Sequence, residues 1–185
     1  MSEQHQISRI ILTNTKRAGT DFLKSLEFRN NGNYDRLPNY VILKSGELVK
    51  TLDIGVETNF LNEEEFNQNS VIICLENLGW LSKQTLSSYY LNWIGNKTDI
   101  VFEKKWRDKF FWDTYTDKQM NTLITLCNDI CDEYKIPKKF VGHNTLIDGI
   151  ERFSGIISRS NFSISDTDVS PSFNFGYLLE NFNYE

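Results

Sequence analysis

The chain has 185 residues, of which 39% are hydrophobic and 24% are charged, and its formal net charge is −5. These values are typical of a globular domain with a substantial core, and they exclude a disordered or fibrous chain. No run of Lys and Arg exceeds two residues. A nucleic-acid interface requires a basic face, so we expect no nucleic-acid partner.

The N-terminal segment MSEQHQIS is polar, and nothing in the chain approaches the roughly eighteen consecutive apolar residues of a membrane-spanning helix. The sequence therefore predicts no ordinary secretory signal, no transmembrane segment and no membrane partner. Three cysteines are an odd number, which indicates a reducing compartment rather than a disulfide framework. Cys127 and Cys131 lie among apolar residues at helical spacing, so we expect buried thiols rather than a metal pair.

The first third of the chain predicts a strand, a short helix and a hairpin. RIILTNT (9–15) is an apolar run that ends in polar residues, as a buried strand does. Thr20 is expected to cap a helix that NNGN (30–33) ends. NYVILKSGELVKTLD (39–53) has two β-rich runs around Lys44-Ser45-Gly46, a turn with the glycine that a positive φ requires.

The middle of the chain predicts a central strand, an excursion and a long helix. NSVIICLENL (69–78) is nearly continuous in Val, Ile and Leu, which suits a strand covered on both faces. Residues 86–115 alternate aromatic and charged side chains around GNKTD and predict a hairpin-like excursion. In 115–137, Thr116 and Gln119 form a capping box before apolar residues at 3–4 spacing, the clearest helix in the sequence.

The last part of the chain begins with KFVGH (139–143), which predicts a short strand that delivers His143 to the edge of a cleft. Residues 144–185 are rich in Ser, Asn and Asp and predict a long loop followed by a short closing segment. Strands and helices therefore intermix around one sheet. We expect a single α/β domain with a mixed central sheet and flanking helices.

The order of these elements, with VGHN and DVSPSF, resembles the zinc N-acetylmuramoyl-L-alanine amidases, the family of phage lysozyme-type amidases and peptidoglycan recognition proteins. The resemblance covers residues 9–178 and rests on the YTDKQ helix that leads to VGH, the NSVIICL strand and SPSF. It implies one amidase-like domain over 1–185, with an aromatic insertion at 86–114. Active members hydrolyse the bond between the lactyl group and L-Ala with a zinc ion held by two histidines and a Cys or Asp.

The resemblance places Thr13, His143 and Ser170 at the three zinc-ligand positions. A catalytic zinc needs three protein ligands and an open position for water. The hydroxyls of Thr13 and Ser170 are weak, neutral ligands compared with imidazole, thiolate or carboxylate. We therefore expect a degenerate site around His143, no bound cofactor and no hydrolysis.

The alternative is a rebuilt site in which carboxylates join His143 around a metal. Asp168 is the first candidate substitute ligand, and Asp148 and Asp166 lie nearby in the sequence. An oxygen-rich set of this kind would favour a harder ion or bind zinc weakly. The chain would then be an active, endolysin-like amidase with an altered metal site.

Further candidate site residues also follow from the resemblance. Tyr40, two residues beyond the family's catalytic tyrosine position at Pro38, is the candidate catalytic residue. Asn39, Arg152 and Arg159 are candidate substrate-binding residues, and the two arginines either clamp stem-peptide carboxylates or form a solvent-facing pair. Four tryptophans either stack against substrate or seal the excursion onto the domain: Trp80, Trp93, Trp106 and Trp112.

Three functions remain open at this point. The first is a peptidoglycan-binding or virion-binding module of phage or bacterial origin that has lost hydrolysis, and the second is the active amidase. The third is a structural or regulatory protein that binds another protein. The partner is accordingly peptidoglycan or a protein, in the host cytoplasm or in a phage virion, and the oligomeric state is open.

Overall fold

The structure is a computed structural model that describes residues 6–28, 36–82 and 100–182. Its strands are β1 (Arg9–Asn14), β2 (Tyr40–Ile42), β3 (Leu48–Lys50), β4 (Ser70–Leu75), β5 (Trp80–Leu81), β6 (Val101–Trp106), β7 (Lys109–Asp113) and β8 (Gly155–Ser158). Its α-helices are α1 (Gly19–Leu26), α2 (Glu64–Asn67), α3 (Asp117–Tyr134) and α4 (Phe175–Asn181).

The main sheet has five strands in the order β3-β2-β4-β1-β8. Strand β4 pairs in parallel with β1 and β2, β1 pairs in parallel with β8, and only β3 is antiparallel. Every residue of β1 and β4 is buried, as the continuous apolar runs predicted for strands covered on both faces. The carboxyl ends of β1, β4 and β8 meet at one edge of the sheet.

Helices cover both faces of this sheet, which confirms the predicted mixed α/β architecture. Helix α3 packs its apolar side, including Leu123 and Ile130, on the face that presents Leu12. Its N-terminus has the predicted capping box of Thr116 and Gln119. The opposite face packs against Phe22 and Leu26 of α1 and Phe66 of α2: Ile11, Val41, Ile72 and Cys74.

Of two local predictions for the first half of the chain, the hairpin is right and the helix cap is wrong. The hairpin is confirmed, with Gly46 at φ 87° in the turn between β2 and β3. The predicted cap of α1 is wrong, since Ala18 is the N-cap and contributes no side-chain hydrogen bond. The carboxylate of Glu76 accepts the Gly19 N–H at 2.7 Å instead. The NNGN segment lies outside the described residues.

The region after α3 is more regular than the sequence predicted. KFVGH does not form a strand, because only Phe140 makes an isolated bridge, to Ile156, and Gly142 turns the chain at φ 75°. Strand β8 is the edge strand beside β1, in a region that the sequence predicted to be a loop. Two 3-10 turns flank it, at Ile150–Arg152 and Arg159–Asn161.

The aromatic excursion contributes β6 and β7 to a second sheet of three strands, in the order β5-β7-β6. Its described turn is at Arg107 and Asp108, both with positive φ, and the GNKTD segment and Trp93 lie outside the described residues. Trp112 is fully buried and its indole N–H donates to the Lys104 carbonyl at 2.7 Å. Trp106 packs against it with ring centroids 5.5 Å apart, a contact within the sheet itself.

Within the ranges that the structure describes, no helix is both long enough and apolar enough to cross a membrane.

Candidate functional site at the strand ends

The carboxyl end of β1 contacts the closing segment of the chain. Thr13 is 1% exposed, and its hydroxyl donates to Asp168 Oδ2 at 2.6 Å. The Asn14 N–H donates to the same oxygen at 3.3 Å. Asp168 is fully buried. A residue 155 positions downstream of Thr13 is thus held directly against the strand end.

Charged side chains surround this contact. Lys16 Nζ lies 2.6 Å from Asp166 Oδ1 and 3.6 Å from Asp168 Oδ1. Arg159 contacts Asp166 Oδ2 at 3.1 Å and also Glu63 at 3.2 Å. We name the set of Thr13, Lys16, Arg159, Asp166 and Asp168 the strand-end cluster.

The charges in the strand-end cluster shift one another's pKa values. Burial alone would lower the pKa of Lys16, but Asp168 and Asp166 attract the ammonium and raise its pKa above the ordinary value. Burial alone would raise the pKa of Asp166, but Lys16 and Arg159 together lower it. Both groups are therefore held in their charged forms.

Arg107, in the turn between β6 and β7 of the second sheet, contacts the loop that carries Asp166. Its guanidinium donates to the backbone carbonyls of Ser160, Ser163, Ile164 and Asp166. The turn between β6 and β7 is thereby joined to the loop that carries Asp166. The sequence pattern gave no sign of this contact, because all four acceptors are backbone atoms.

Tyr115, a partly buried residue that the sequence analysis did not predict as part of the site, lies at the same edge. The Tyr115 hydroxyl donates to Asn14 Oδ1 at 2.8 Å and accepts the Ser170 N–H at 3.2 Å. Burial raises the pKa of Tyr115 far above its ordinary value, so the phenol stays neutral. The hydroxyl of Ser170, which is fully buried, lies 2.7 Å from that of Ser172. Only the position of Tyr115 at the start of YTDKQ could have indicated this role.

His143 lies in an adjacent loop and is exposed. Its Nδ1 accepts the Thr145 N–H at 3.2 Å, and its carbonyl accepts from Asn161 Nδ2 at 2.8 Å. Asn144 donates to the carbonyl of Val169, the residue after Asp168, at 3.3 Å. These bonds attach the His143 loop to both ends of the segment that carries the two aspartates.

Comparison with known proteins identifies the family of the chain. A family model described as N-acetylmuramoyl-L-alanine amidase matches residues 3–155. The chain belongs to the N-acetylmuramoyl-L-alanine amidase family. No curated protein matches it.

A solved structure has a fold similar to that of this amidase-family chain. It is the amidase AmiD from E. coli, in complex with anhydro-N-acetylmuramic acid-L-Ala-D-gamma-Glu-L-Lys, with a TM-score of 0.59 and 14% sequence identity. The match covers 98% of this chain and 59% of AmiD, so the chain spans less than two thirds of that protein's length. At this identity the likeness concerns the fold.

The described side chains around Thr13 do not form a set of three metal ligands. No group of three His, Cys, Asp or Glu side chains in the described ranges could hold a metal. The Thr13 hydroxyl points its proton at Asp168, and Lys16 approaches the other carboxylate oxygen. Asp148, one of the carboxylates of the rebuilt-site alternative, is exposed. Asp166, the second of them, is engaged by Lys16 and Arg159.

The structure brings Asp168, the candidate substitute ligand, against Thr13. Asp168, not Ser170, contacts Thr13, while the Ser170 hydroxyl faces Ser172 and Tyr115. The family match ends at residue 155 and so includes the positions of Thr13 and His143 but not that of Asp168. The contact between Asp168 and Thr13 is therefore known from the structure and not from the family match.

Tyr40 and Asn39 lie away from this contact. The register aligns Tyr40 with Ile73, one row before Thr13, on the face that packs against α3. Asn39 is 2% exposed, and its side-chain amide bridges the Ile72 N–H and the Asp53 carbonyl. The amide of Asn39 therefore links β4 to the segment that follows β3. The described contacts of Tyr40 do not include Thr13, so they do not support a catalytic role for Tyr40.

The two candidate arginines are separated by strand β8. Arg152 precedes β8, its side chain is 91% exposed, and its nearest acidic partner is Glu151 at 3.7 Å. Arg159 follows β8 and is part of the strand-end cluster. The four residues of β8 span about 13 Å at roughly 3.3 Å per residue. The two guanidiniums are therefore not placed to clamp one carboxylate.

Proposed function

We propose that this chain is an amidase-family protein of phage or bacterial origin that binds peptidoglycan without hydrolysing it. The observation that carries the proposal is the hydrogen bond from the Thr13 hydroxyl to Asp168, at 2.6 Å. A neutral hydroxyl at the first ligand position is a weak zinc ligand, and here it is bonded to a buried carboxylate instead. The water that zinc would activate then has no metal to lower its pKa.

Retention of binding is supported by the family and by the similar fold. AmiD was solved with a peptidoglycan fragment, anhydro-N-acetylmuramic acid-L-Ala-D-gamma-Glu-L-Lys. In this chain the exposed His143 lies in a loop attached to the strand-end cluster, where an imidazole can contact a sugar or peptide. We propose that His143 acts here as a hydrogen-bonding group for ligand and not as a metal ligand.

Co-sedimentation with purified sacculi tests this function. The full chain should sediment with sacculi in EDTA and release no stem peptide, with or without added zinc. His143→Ala should weaken binding by roughly threefold to tenfold, the value of one hydrogen bond. Lys50→Ala is the control, because that side chain is 55% exposed and pairs only with the surface carboxylate of Asp53, and it should leave the affinity unchanged.

The same experiment separates the remaining functions. Release of stem peptides that depends on added metal would show an active amidase with an altered metal site. Failure to sediment in any condition would contradict peptidoglycan binding and favour a protein partner, either in a phage virion or in a host cell.

A further inference from the structure

We propose that the Lys16 ammonium is a built-in replacement for the metal ion in this chain. It supplies the positive charge beside Asp168 and thereby excludes divalent cations from the strand-end cluster. The inference rests on the proposed loss of zinc-dependent hydrolysis and names the residue that maintains it.

The position of Lys16 is the first support. Lys16 follows β1 by two residues and adopts a left-handed conformation at φ 58°, which non-glycine residues seldom adopt. Its backbone is held there by the Lys16 N–H bond to the Asn77 carbonyl at 2.9 Å. From this turn the side chain reaches both aspartates of the cluster.

The carboxylate of Asp168 is the second support. Oδ2 accepts from Thr13 and from the Asn14 N–H. Oδ1 is buried and has no hydrogen-bond partner among the described residues; it forms an ion pair with Lys16 Nζ at 3.6 Å, and Arg107 adds a further positive charge nearby. A buried carboxylate oxygen without a hydrogen bond requires a nearby positive charge, and the ammonium provides it.

The charge balance is the third support. Lys16 and Arg159 carry two positive charges, and Asp166 and Asp168 carry two negative charges, so these four side chains are neutral as a group. A divalent cation that entered beside Asp168 would lie against the ammonium and be repelled by it. Restoring a strong ligand at Thr13 should therefore be insufficient for zinc binding while Lys16 is present.

Zinc uptake by three forms of the full chain tests the proposal. The wild type, Thr13→His and Thr13→His/Lys16→Met are dialysed against micromolar zinc and analysed for metal per chain. We expect near zero for the first two and near one for the double variant, with a zinc-dependent rise in its Tm. Adding His143→Ala to the double variant should abolish the uptake.

A matched lysine controls for general charge effects. Lys50 pairs with Asp53 on the surface, and both side chains are more than half exposed, at 55% and 73%. Thr13→His/Lys50→Met should therefore take up no more zinc than Thr13→His. Equal uptake in the two double variants would overturn the proposal, because the effect would not belong to the strand-end cluster.

Further results would also overturn it. The first is equal zinc uptake by Thr13→His and by Thr13→His/Lys16→Met. The second is no uptake by the folded double variant. The third is one zinc ion per wild-type chain that Asp168→Asn removes. Should Thr13→His not fold, Thr13→Cys replaces it, since its side chain is close in volume to threonine and its thiolate binds zinc.

A simpler variant keeps the proposal testable without any new ligand. Lys16→Met alone should gain Tm on addition of millimolar zinc, whereas the wild type and Lys50→Met should not. An identical response in all three proteins would contradict the role of Lys16. Sacculus binding in EDTA is independent of these measurements, so a failure of the proposed function and a failure of this inference give different results.

Discussion

Asp113 and Asp168 are both fully buried, and each pairs with one lysine, but their hydrogen bonding differs. Asp113 Oδ1 accepts from Lys44 Nζ at 2.6 Å and from the Thr114 N–H at 2.9 Å. Its Oδ2 accepts the Leu78 N–H at 2.8 Å. In Asp168 one oxygen accepts two hydrogen bonds and the other accepts none from the described residues.

This difference separates a fully hydrogen-bonded carboxylate from one that is hydrogen-bonded through a single oxygen. Asp113 has donors on both oxygens and joins β7 to the segment that follows β4, so the fold itself uses the charge. Asp168 accepts hydrogen bonds from Thr13 and Asn14 on one oxygen. Its other oxygen has only an ion pair with Lys16, at 3.6 Å. Incomplete pairing of a buried charge is more typical of functional sites than of cores.

The comparison predicts its largest effect for Asp113→Asn. An amide at this position must direct its NH2 at Leu78 N–H or at the Lys44 and Thr114 donors, so at least one buried donor loses its acceptor. We expect the free energy of unfolding to fall by about 3 kcal/mol in denaturant titrations. Asp168→Asn is the matched comparison, because its carbonyl oxygen can keep the hydrogen bonds from Thr13 and Asn14 while its NH2 takes the side that faces Lys16, and we expect a smaller loss of about 1 to 2 kcal/mol. Equal losses would contradict the distinction.

Lys16→Met should have the next largest effect. It removes the ion pair of Asp168 and one of the two ion pairs of Asp166, which keeps Arg159, while Arg107 stays near both aspartates. We expect a loss of about 2 kcal/mol, below the full penalty for breaking a buried pair because 27% of the Lys16 side chain is exposed. Chemical denaturation should show no measurable change for Lys50→Met, whose partner Asp53 is on the surface. A neutral result for Lys16→Met would mean that the aspartates do not need the ammonium.

Tyr115→Phe should have a smaller effect. It removes the hydroxyl that bonds Asn14 Oδ1 and the Ser170 N–H, while the ring remains packed edge-on against Phe173. We expect a loss of about 1 to 2 kcal/mol in unfolding free energy. A loss above the one for Lys16→Met would place the main support of this edge in the neutral hydrogen bonds instead of the ion pairs.

The sequence predicted the elements whose signals are local. Strands β1 and β4 were visible as continuous apolar runs, and the capping box with its apolar spacing indicated α3. Strand β8 was not, because GIIS is only four residues long and its neighbours are polar. Its status as a strand comes from pairing with β1, more than a hundred residues away in the sequence.

The candidate site was predictable only in part for the same reason. The resemblance implied Thr13, His143 and Ser170 as ligand positions, with Asp168 as a possible substitute, and could not predict which of Ser170 and Asp168 contacts Thr13. The contact between Thr13 and Asp168 depends on the path of the loop after β8, which leaves no periodic signal. Lys16 carried no motif at all, since its importance arises from two aspartates 150 or more residues away.

The last prediction concerns acid stability and uses the pKa of Asp166, which Lys16 and Arg159 lower despite the opposing effect of burial. A carboxyl whose folded pKa lies below its unfolded value of about 3.9 stabilises the fold above that pH. The contribution is lost as the pH falls from about 4 through the folded pKa. Asp166→Asn lacks this titration, so the wild type should lose stability more steeply below about pH 4, by at most about 1.4 kcal/mol per pH unit.

Urea titrations of both proteins between neutral pH and about pH 3 measure the difference in slope. Other carboxylates titrate in the same range, but they are common to both proteins and cancel in the comparison. Parallel curves would mean that the cations do not favour the charged form of Asp166. The ion pairs of Asp166 with Lys16 and Arg159 would then contribute little to the stability of the fold.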